Sequence, residues 1–367
     1  MIKSPPLAPA AERPRVRIAR PLARRLARGA LASAWALRHP REPLAKRSER
    51  TPTEARWVST EDGWELPLRR IVPRPGARGE PVVLATELGT GDHTLDALPD
   101  QSLARLLHQA GYDVWWFHHR GTPRARPPAR IEHCDMDAVA SFDIPAALER
   151  IRAVSGAERV LWIGHGIGAQ VAMIHLALGG DRIAGLVSLT AAVCFPHSHT
   201  RARIAGRVAA WLPPEWRIPI GTVADVLAPG PGEHVIAPLT RSSDSLERRS
   251  LLLHGVEAVR MGLIRQGAMW FEQGHLSDRS GTVDYTVALR HQRTPMFVIS
   301  ASGDLLCPPE AVAPLVEGAQ HCESLVLDRT WGHFDPLLSP EAMGTVFAPI
   351  RSWLAARRTS CWVAPRF

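Results

Sequence analysis

The residues best suited to chemistry in this chain are an acid and an imidazole set late in the sequence. Asp304, in Ser302-Gly303-Asp304, and His333, in Trp331-Gly332-His333-Phe334, lie 29 residues apart, each after a short apolar run of strand type. An aspartate that orients an imidazole and stabilises its charge makes a general base that later acts as a general acid. Such a pair ordinarily serves a nucleophile. Upstream, Arg159-Val160-Leu161-Trp162-Ile163 runs into the turn Gly164-His165-Gly166-Ile167-Gly168 and then into a helical pattern from Ala169 to Leu178. A strand, a sharp glycine-flanked turn and a helix form the setting that lifts a nucleophilic serine out of a sheet. Here the centre of the turn is Gly166, which has no side chain and can form no acyl-enzyme. A non-glycine residue at such a turn holds a strained backbone at a cost of about 1–3 kcal/mol. Once no hydroxyl is needed, glycine is the relaxed occupant.

The elements that must position these residues follow from hydrophobic patterning. Trp57 to Thr60 and Glu65 to Val72 read as a hairpin around Asp62-Gly63. Pro81 to Thr86, Tyr112 to Phe117, Arg159 to Ile163, Ile183 to Phe195, Met296 to Ser300 and Ser324 to Leu327 read as strands. Leu103 to Ala110, Asp137 to Val154, Ala169 to Leu178 and Ala342 to Ala356 read as helices. Strands separated by helices of this length predict a mostly parallel central sheet flanked by helices. Between Pro196 and His291 the alternation stops and prolines accumulate, so residues 196–290 are expected to form an inserted helical cap. The core is then divided into residues 51–195 and 291–367.

Charge sets residues 1–50 apart. The chain carries +8 overall, but this segment holds 11 Arg and 2 Lys against 3 Glu, an excess of ten that leaves the other 317 residues at −2. The basicity belongs to an Arg/Pro-rich arm, and no nucleic-acid-binding module accompanies it. A helix over Pro21 to Arg38 would put Leu22, Leu26 and Leu37 on one arc and Arg20, Arg24, Arg25 and Arg28 on another. Peripheral contact with an anionic membrane is one reading of that arc; packing on the body, or a solvated arm, is the plainer one. No apolar run approaches membrane-spanning length, and Met1 to Ala11 has no apolar core of the secretory type. The expected location is cytoplasmic. Five scattered cysteines (Cys134, Cys194, Cys307, Cys322, Cys361) with no C-x-x-C pair argue against a disulfide framework and a structural zinc site.

The order of turn, acid and histidine, each at the end of a strand, resembles the α/β-hydrolases from about Arg56 to Arg358. The likeness is strongest to the lipase/esterase and polyhydroxyalkanoate-synthase-like branch and to the hydrolase domains found beside cholesterol-oxidase-type enzymes. Asp113-Val114-Trp115-Trp116, Arg120-Gly121 and Ser141-Phe142-Asp143-Ile144-Pro145-Ala146-Ala147 add to it. The resemblance implies an α/β-hydrolase fold, ester or acyl chemistry, and an Asp304–His333 pair serving position 166. It also implies an oxyanion hole made by the backbone N–H of Ile167, after the turn's centre, and of Leu88, in the loop after the first central strand. That loop usually reads His-Gly; here it is Thr86-Glu87-Leu88-Gly89, and a carboxylate there would repel a developing oxyanion.

Several residues have a plainer reading. A buried Asp–His pair can be ordinary structure, although both members at the expected strand ends favour an inherited catalytic pair. Glu87 is read first as a surface-loop carboxylate and second as an acid–base partner for His333. His118, His119, His165, His197, His199 and His333 all fall at strand ends, and His197-Ser198-His199 has ligand-pair spacing. With no acidic partner beside them, no metal and no cofactor are expected. Trp211, Trp216 and Trp270 suit either a pocket wall or core packing.

Three functions are compatible with these residues: a weak or non-covalent ester/acyl hydrolase, a pseudoenzyme that binds a small hydrophobic or acyl ligand or a partner, and a lyase or isomerase using His333, Asp304 and Glu87. If only the nucleophile is missing, Gly166→Ser should restore the triad.

Overall fold

The computed structural model describes residues 54–73, 79–96, 101–196, 211–220, 237–243 and 245–362. All of them belong to the compact unit Pro43–Phe367, one of two units into which the chain divides. The basic arm, with its expected helix, and His197 and His199 lie outside the described residues.

One sheet of eight strands organises this unit: β1 (Glu54–Ser59), β2 (Glu65–Ile71), β3 (Pro81–Ala85), β4 (Asp113–Phe117), β5 (Val160–His165), β6 (Ile183–Leu189), β7 (Met296–Ala301) and β8 (Cys322–Leu327). Their spatial order is β1-β2-β4-β3-β5-β6-β7-β8. The hairpin β1–β2 and the pair β2–β4 are antiparallel, and every other pairing is parallel. The Asp-Gly turn behaves as its residues dictate, with Gly63 at φ 84°. Strands β3 to β7 are buried along their whole length, as expected when helices cover both faces of a parallel sheet. Successive residues feed opposite cores: Val83, Trp115 and Trp162 face one cluster, and Val82, Trp116 and Leu161 the other.

Helix α1 (Leu103–Gln109) links β3 to β4. After β4 the chain passes through a π-helical turn at Val139–Asp143 into α2 (Ile144–Ser155), where a regular helix was expected. The departure coincides with a fully buried ion pair. The Arg120 guanidinium donates to Asp143 Oδ1 from Nε and Nη2 at 2.9 and 2.7 Å, and the Arg120 backbone N–H donates to Asp143 Oδ2 at 2.8 Å. Its Nη1 also donates to Asp62 Oδ2 at 2.5 Å and to the His133 carbonyl at 3.0 Å. Burial alone would push the Asp143 carboxyl up; Arg120 opposes this, and the value settles raised, at about 6. Arg120-Gly121 and the segment around Asp143 are thus two halves of one buried network that fixes the hairpin turn and the helix behind β4.

Helix α3 (Ile167–Ala177) starts directly on the turn after β5 and is buried from Ile167 to Leu176, so it shows no polar face. Between β6 and β7 the chain leaves the sheet. Its described part holds α4 (Met261–Gln273), α5 (Tyr285–Leu289) and a two-residue pairing of Arg217–Ile218 with Val259–Arg260, too short to register in the sequence pattern. Gln266 ties α4 to the segment before α2: its Oε1 accepts from Met136 N at 2.7 Å, and its Nε2 donates to Asp137 Oδ1 at 2.8 Å. After β8, the closing helix opens with a π-helical turn, Met343–Phe347, and continues as α6 (Ala348–Ala355).

Removing one partner of the Arg120 network strands a buried charge. Arg120→Ala is expected to lower unfolding stability by about 3–5 kcal/mol, measured by chemical denaturation followed by circular dichroism.

Candidate active site

Neighbouring strands bring the loops after β3 and β5 side by side, with Ala85 in register with Gly164. Strand order reverses here, because β3 lies between β4 and β5; crevices at such carboxyl ends are where open α/β sheets bind ligands. The turn after β5 holds Gly166 at φ 48° and ψ −117°, in the region that favours glycine. Gly168 is a packing requirement: a Cβ there would come within 2.4 Å of the Ala85 carbonyl oxygen.

Asp304 follows β7 and His333 follows β8, and both are buried. Their side chains meet, His333 Nδ1 lying 2.8 Å from Asp304 Oδ2. The other ring nitrogen, Nε2, lies 3.1 Å from Glu87 Oε2. Glu87 is therefore not a surface-loop carboxylate. Its side chain is 16% exposed and faces the imidazole across the turn. A Cβ on residue 166 would fall 1.5 Å from Glu87 Oε2, a covalent-bond length and not a contact distance. The carboxylate oxygen occupies the space a serine or cysteine side chain would need.

The two expected oxyanion donors also converge, but on this carboxylate. Leu88 N donates to Glu87 Oε1 at 2.5 Å and Ile167 N to Glu87 Oε2 at 3.3 Å. The second amide is the first of helix α3, where unpaired N–H groups and the helix dipole favour an anion. The hole is thus filled by the protein's own carboxylate. A side chain at residue 166 would have to displace the Glu87 carboxylate from this place.

Electrostatics follow the geometry. Burial would disfavour an imidazolium at His333, but Asp304 and then Glu87 outweigh it and raise its pKa from the ordinary 6.5 to about 10. Burial would raise the Glu87 carboxyl, yet hydrogen bonding and charge attraction from His333 hold it low; Asp304 is lowered against its own burial in the same way. His165, stripped of water and next to a cationic neighbour, is pushed down to about 4. At neutral pH the site reads carboxylate, imidazolium, carboxylate, and His333 has no lone pair free to act as a base.

His165 packs 4.8 Å from His333, ring centre to ring centre, and its Nε2 lies 3.0 Å from the His333 carbonyl oxygen. One ligand atom from each of Glu87, His165 and His333 lies within 4.8 Å of the others, a grouping a metal ion could use; both His333 nitrogens are already spent on carboxylates. The other described strand-end histidines have partners of their own. His118 pairs with Asp92 at 2.6 Å, and His119 accepts from Gly121 N at 3.1 Å.

A cavity of about 310 Å³ opens over Glu87, Gly166 and His333. Helix α4 supplies Ile264, Trp270 and Phe271 to its wall, and the stretch after β6 supplies Ala192 and Phe195. Thr190, also in the lining, is the one non-glycine among the described residues with positive φ, 45°. Of the tryptophans suggested for a pocket wall, Trp270 lines the cavity, whereas Trp211 and Trp216 are 89% and 53% exposed and do not. Ile264, Phe271 and Phe195 carry no sequence motif; only the approach of α4 to the elbow selects them.

Residues 95–340 match the model of the alpha/beta hydrolase fold family. The chain belongs to the α/β-hydrolases. It is 33% identical to human gastric triacylglycerol lipase over 136 residues, 34% of each chain, and 32% identical to mouse lipase member M over 137 residues, 34% of this chain and 32% of that one. The chain thus spans about a third of the length of these relatives. Among solved structures, an esterase from Exiguobacterium antarcticum aligns with a TM-score of 0.59 at 15% identity, covering 82% of this chain and 100% of that one. A thermophilic esterase from Thermogutta terrifontis aligns at 0.57 and 18% identity, covering 83% and 100%. Among the described residues no helix is long and apolar enough to cross a membrane.

The sign of the pH dependence follows from these shifts. His333, raised in the folded state, contributes stability that is complete below its ordinary 6.5 and disappears as pH rises through about 10. Glu87 and Asp304, both lowered, contribute stability above their ordinary values of 4.5 and 3.8 that is lost on acidification. Ring-nitrogen NMR is expected to find His333 doubly protonated at pH 8, and Glu87→Gln to lower its titration by about one to three pH units.

Proposed function

We propose that this α/β-hydrolase takes a small hydrophobic ligand into the cavity beneath a cap formed by residues 196–290 and does not turn esters over through an acyl-enzyme. One observation carries the reading: the Glu87 carboxylate lies in the space of the missing nucleophile and consumes the N–H groups of Leu88 and Ile167. Serine-type hydrolysis needs a nucleophile, a neutral imidazole and open oxyanion donors. Gly166, the His333 imidazolium and the filled amides withhold all three. The apolar lining, and the likeness to a triacylglycerol lipase over part of the chain, support a lipid-like ligand.

A second reading, lyase or isomerase chemistry, is favoured by the fact that Glu87 and His333 both border the cavity. There the imidazolium would act as acid and the carboxylate as base, with no covalent intermediate.

A p-nitrophenyl ester screen tests the proposal. Neither the wild type nor Gly166→Ser is expected to release nitrophenol above background. Glu87→Ala/Gly166→Ser clears the space, reopens the amides and removes one carboxylate from His333; it is expected to exceed the wild type by about a hundredfold or more. Wild-type turnover abolished by His333→Ala would sink the binding reading in favour of an active enzyme.

A further inference from the structure

We infer that the ligand of this cavity carries a hydrogen-bond-donating head, an alcohol or an amine on an apolar chain, and not a carboxylate. The inference rests on the cavity being a ligand site, as proposed above, and comes from counting donors and acceptors at its floor.

Among the described residues the polar side chains that line the cavity are few, and neither lysine nor arginine is among them. All but one of their donors are spent within the protein. Both nitrogens of His333 face carboxylates, and the amides of Leu88 and Ile167 point at Glu87. Thr190 Oγ1 donates to the His333 carbonyl at 3.2 Å, and Trp270 Nε1 to the Ser277 carbonyl at 2.7 Å. Gln170 Nε2 donates to the Ala192 carbonyl at 2.6 Å. Its second amide proton is neutral and balances no charge.

Acceptors remain. An ionised carboxylate offers about four lone-pair sites, and Glu87 uses three, one on Oε1 and two on Oε2. Oε1 keeps one for a ligand. The floor also carries one unbalanced negative charge, because Glu87 and Asp304 face a single imidazolium. The neighbouring His165 and His119 are held neutral by burial, each pushed down to about 4. A fatty carboxylate placed here would meet another carboxylate and, among the described residues, no available cation. A hydroxyl or an ammonium would meet an open acceptor in an anionic site.

Isothermal titration of the full-length protein at pH 7 with 1-octanol, octylamine and octanoate tests this. The alcohol and the amine are expected to bind about tenfold tighter than the acid, or more, and Glu87→Gln to narrow the gap between amine and acid. Octanoate binding as tightly as octanol in the wild type would overturn the inference and leave the cavity reading standing. If none of the three binds, the cavity reading fails and the inference with it. The wild-type series decides both points even if the variant does not fold.

Discussion

A carboxylate sits where the family's nucleophile belongs. Glu87 is held by the His333 ring, by Leu88 N, and by Ile167 N at the head of a buried helix. Burying a charge is costly unless it is paired and hydrogen-bonded, and this site supplies both. The same contacts give His333 a second anionic neighbour opposite Asp304, so the imidazole that would serve as a base is instead the cation that balances two acids. Gly166 belongs to this arrangement, because any side chain there would collide with the carboxylate.

The rest of the fold can be understood as support for that contact. Parallel strands deliver four loops to one edge of the sheet: Glu87 after β3, Gly166 after β5, Asp304 after β7 and His333 after β8. Close approach of strand and helix at Gly168 leaves the α3 amide pointing at the loop after β3. The Arg120–Asp143–Asp62 network anchors the hairpin and the helix behind β4. Helix α4, pinned through Gln266, closes the site with apolar side chains and leaves the donors at its floor turned inward.

Family membership does not by itself fix the chemistry, for a physical reason. The residues that make the fold, from buried strands to flanking glycines, are separate from those that react. A hydrolase scaffold can lose its serine and keep its packing, provided the vacated space and the unpaired amides are satisfied. Glu87 does both. Likeness to lipases and esterases therefore speaks for the scaffold, while the reaction depends on a handful of polar atoms.

From the sequence alone, the alternating strands and helices, the Asp-Gly hairpin, the Gly166 turn and the Asp304 and His333 positions were all legible, because each is written in local periodicity or in a short motif. Glu87 was visible as an unusual residue of the oxyanion loop and as the second choice of partner for His333, but its burial against Gly166 was not. A loop carboxylate reads as solvated by default, and nothing local reveals that an adjacent strand, distant in sequence, brings a side-chain-free turn against it. The cavity walls escaped for a similar reason: Ile264 and Phe271 are ordinary apolar residues until α4 folds over the elbow. The sequence by itself determined which scaffold would form and that a glycine stands at the centre of its sharp turn. Only the tertiary structure decided what lies against that glycine, because the contact is made across space, by a residue 79 positions upstream of Gly166.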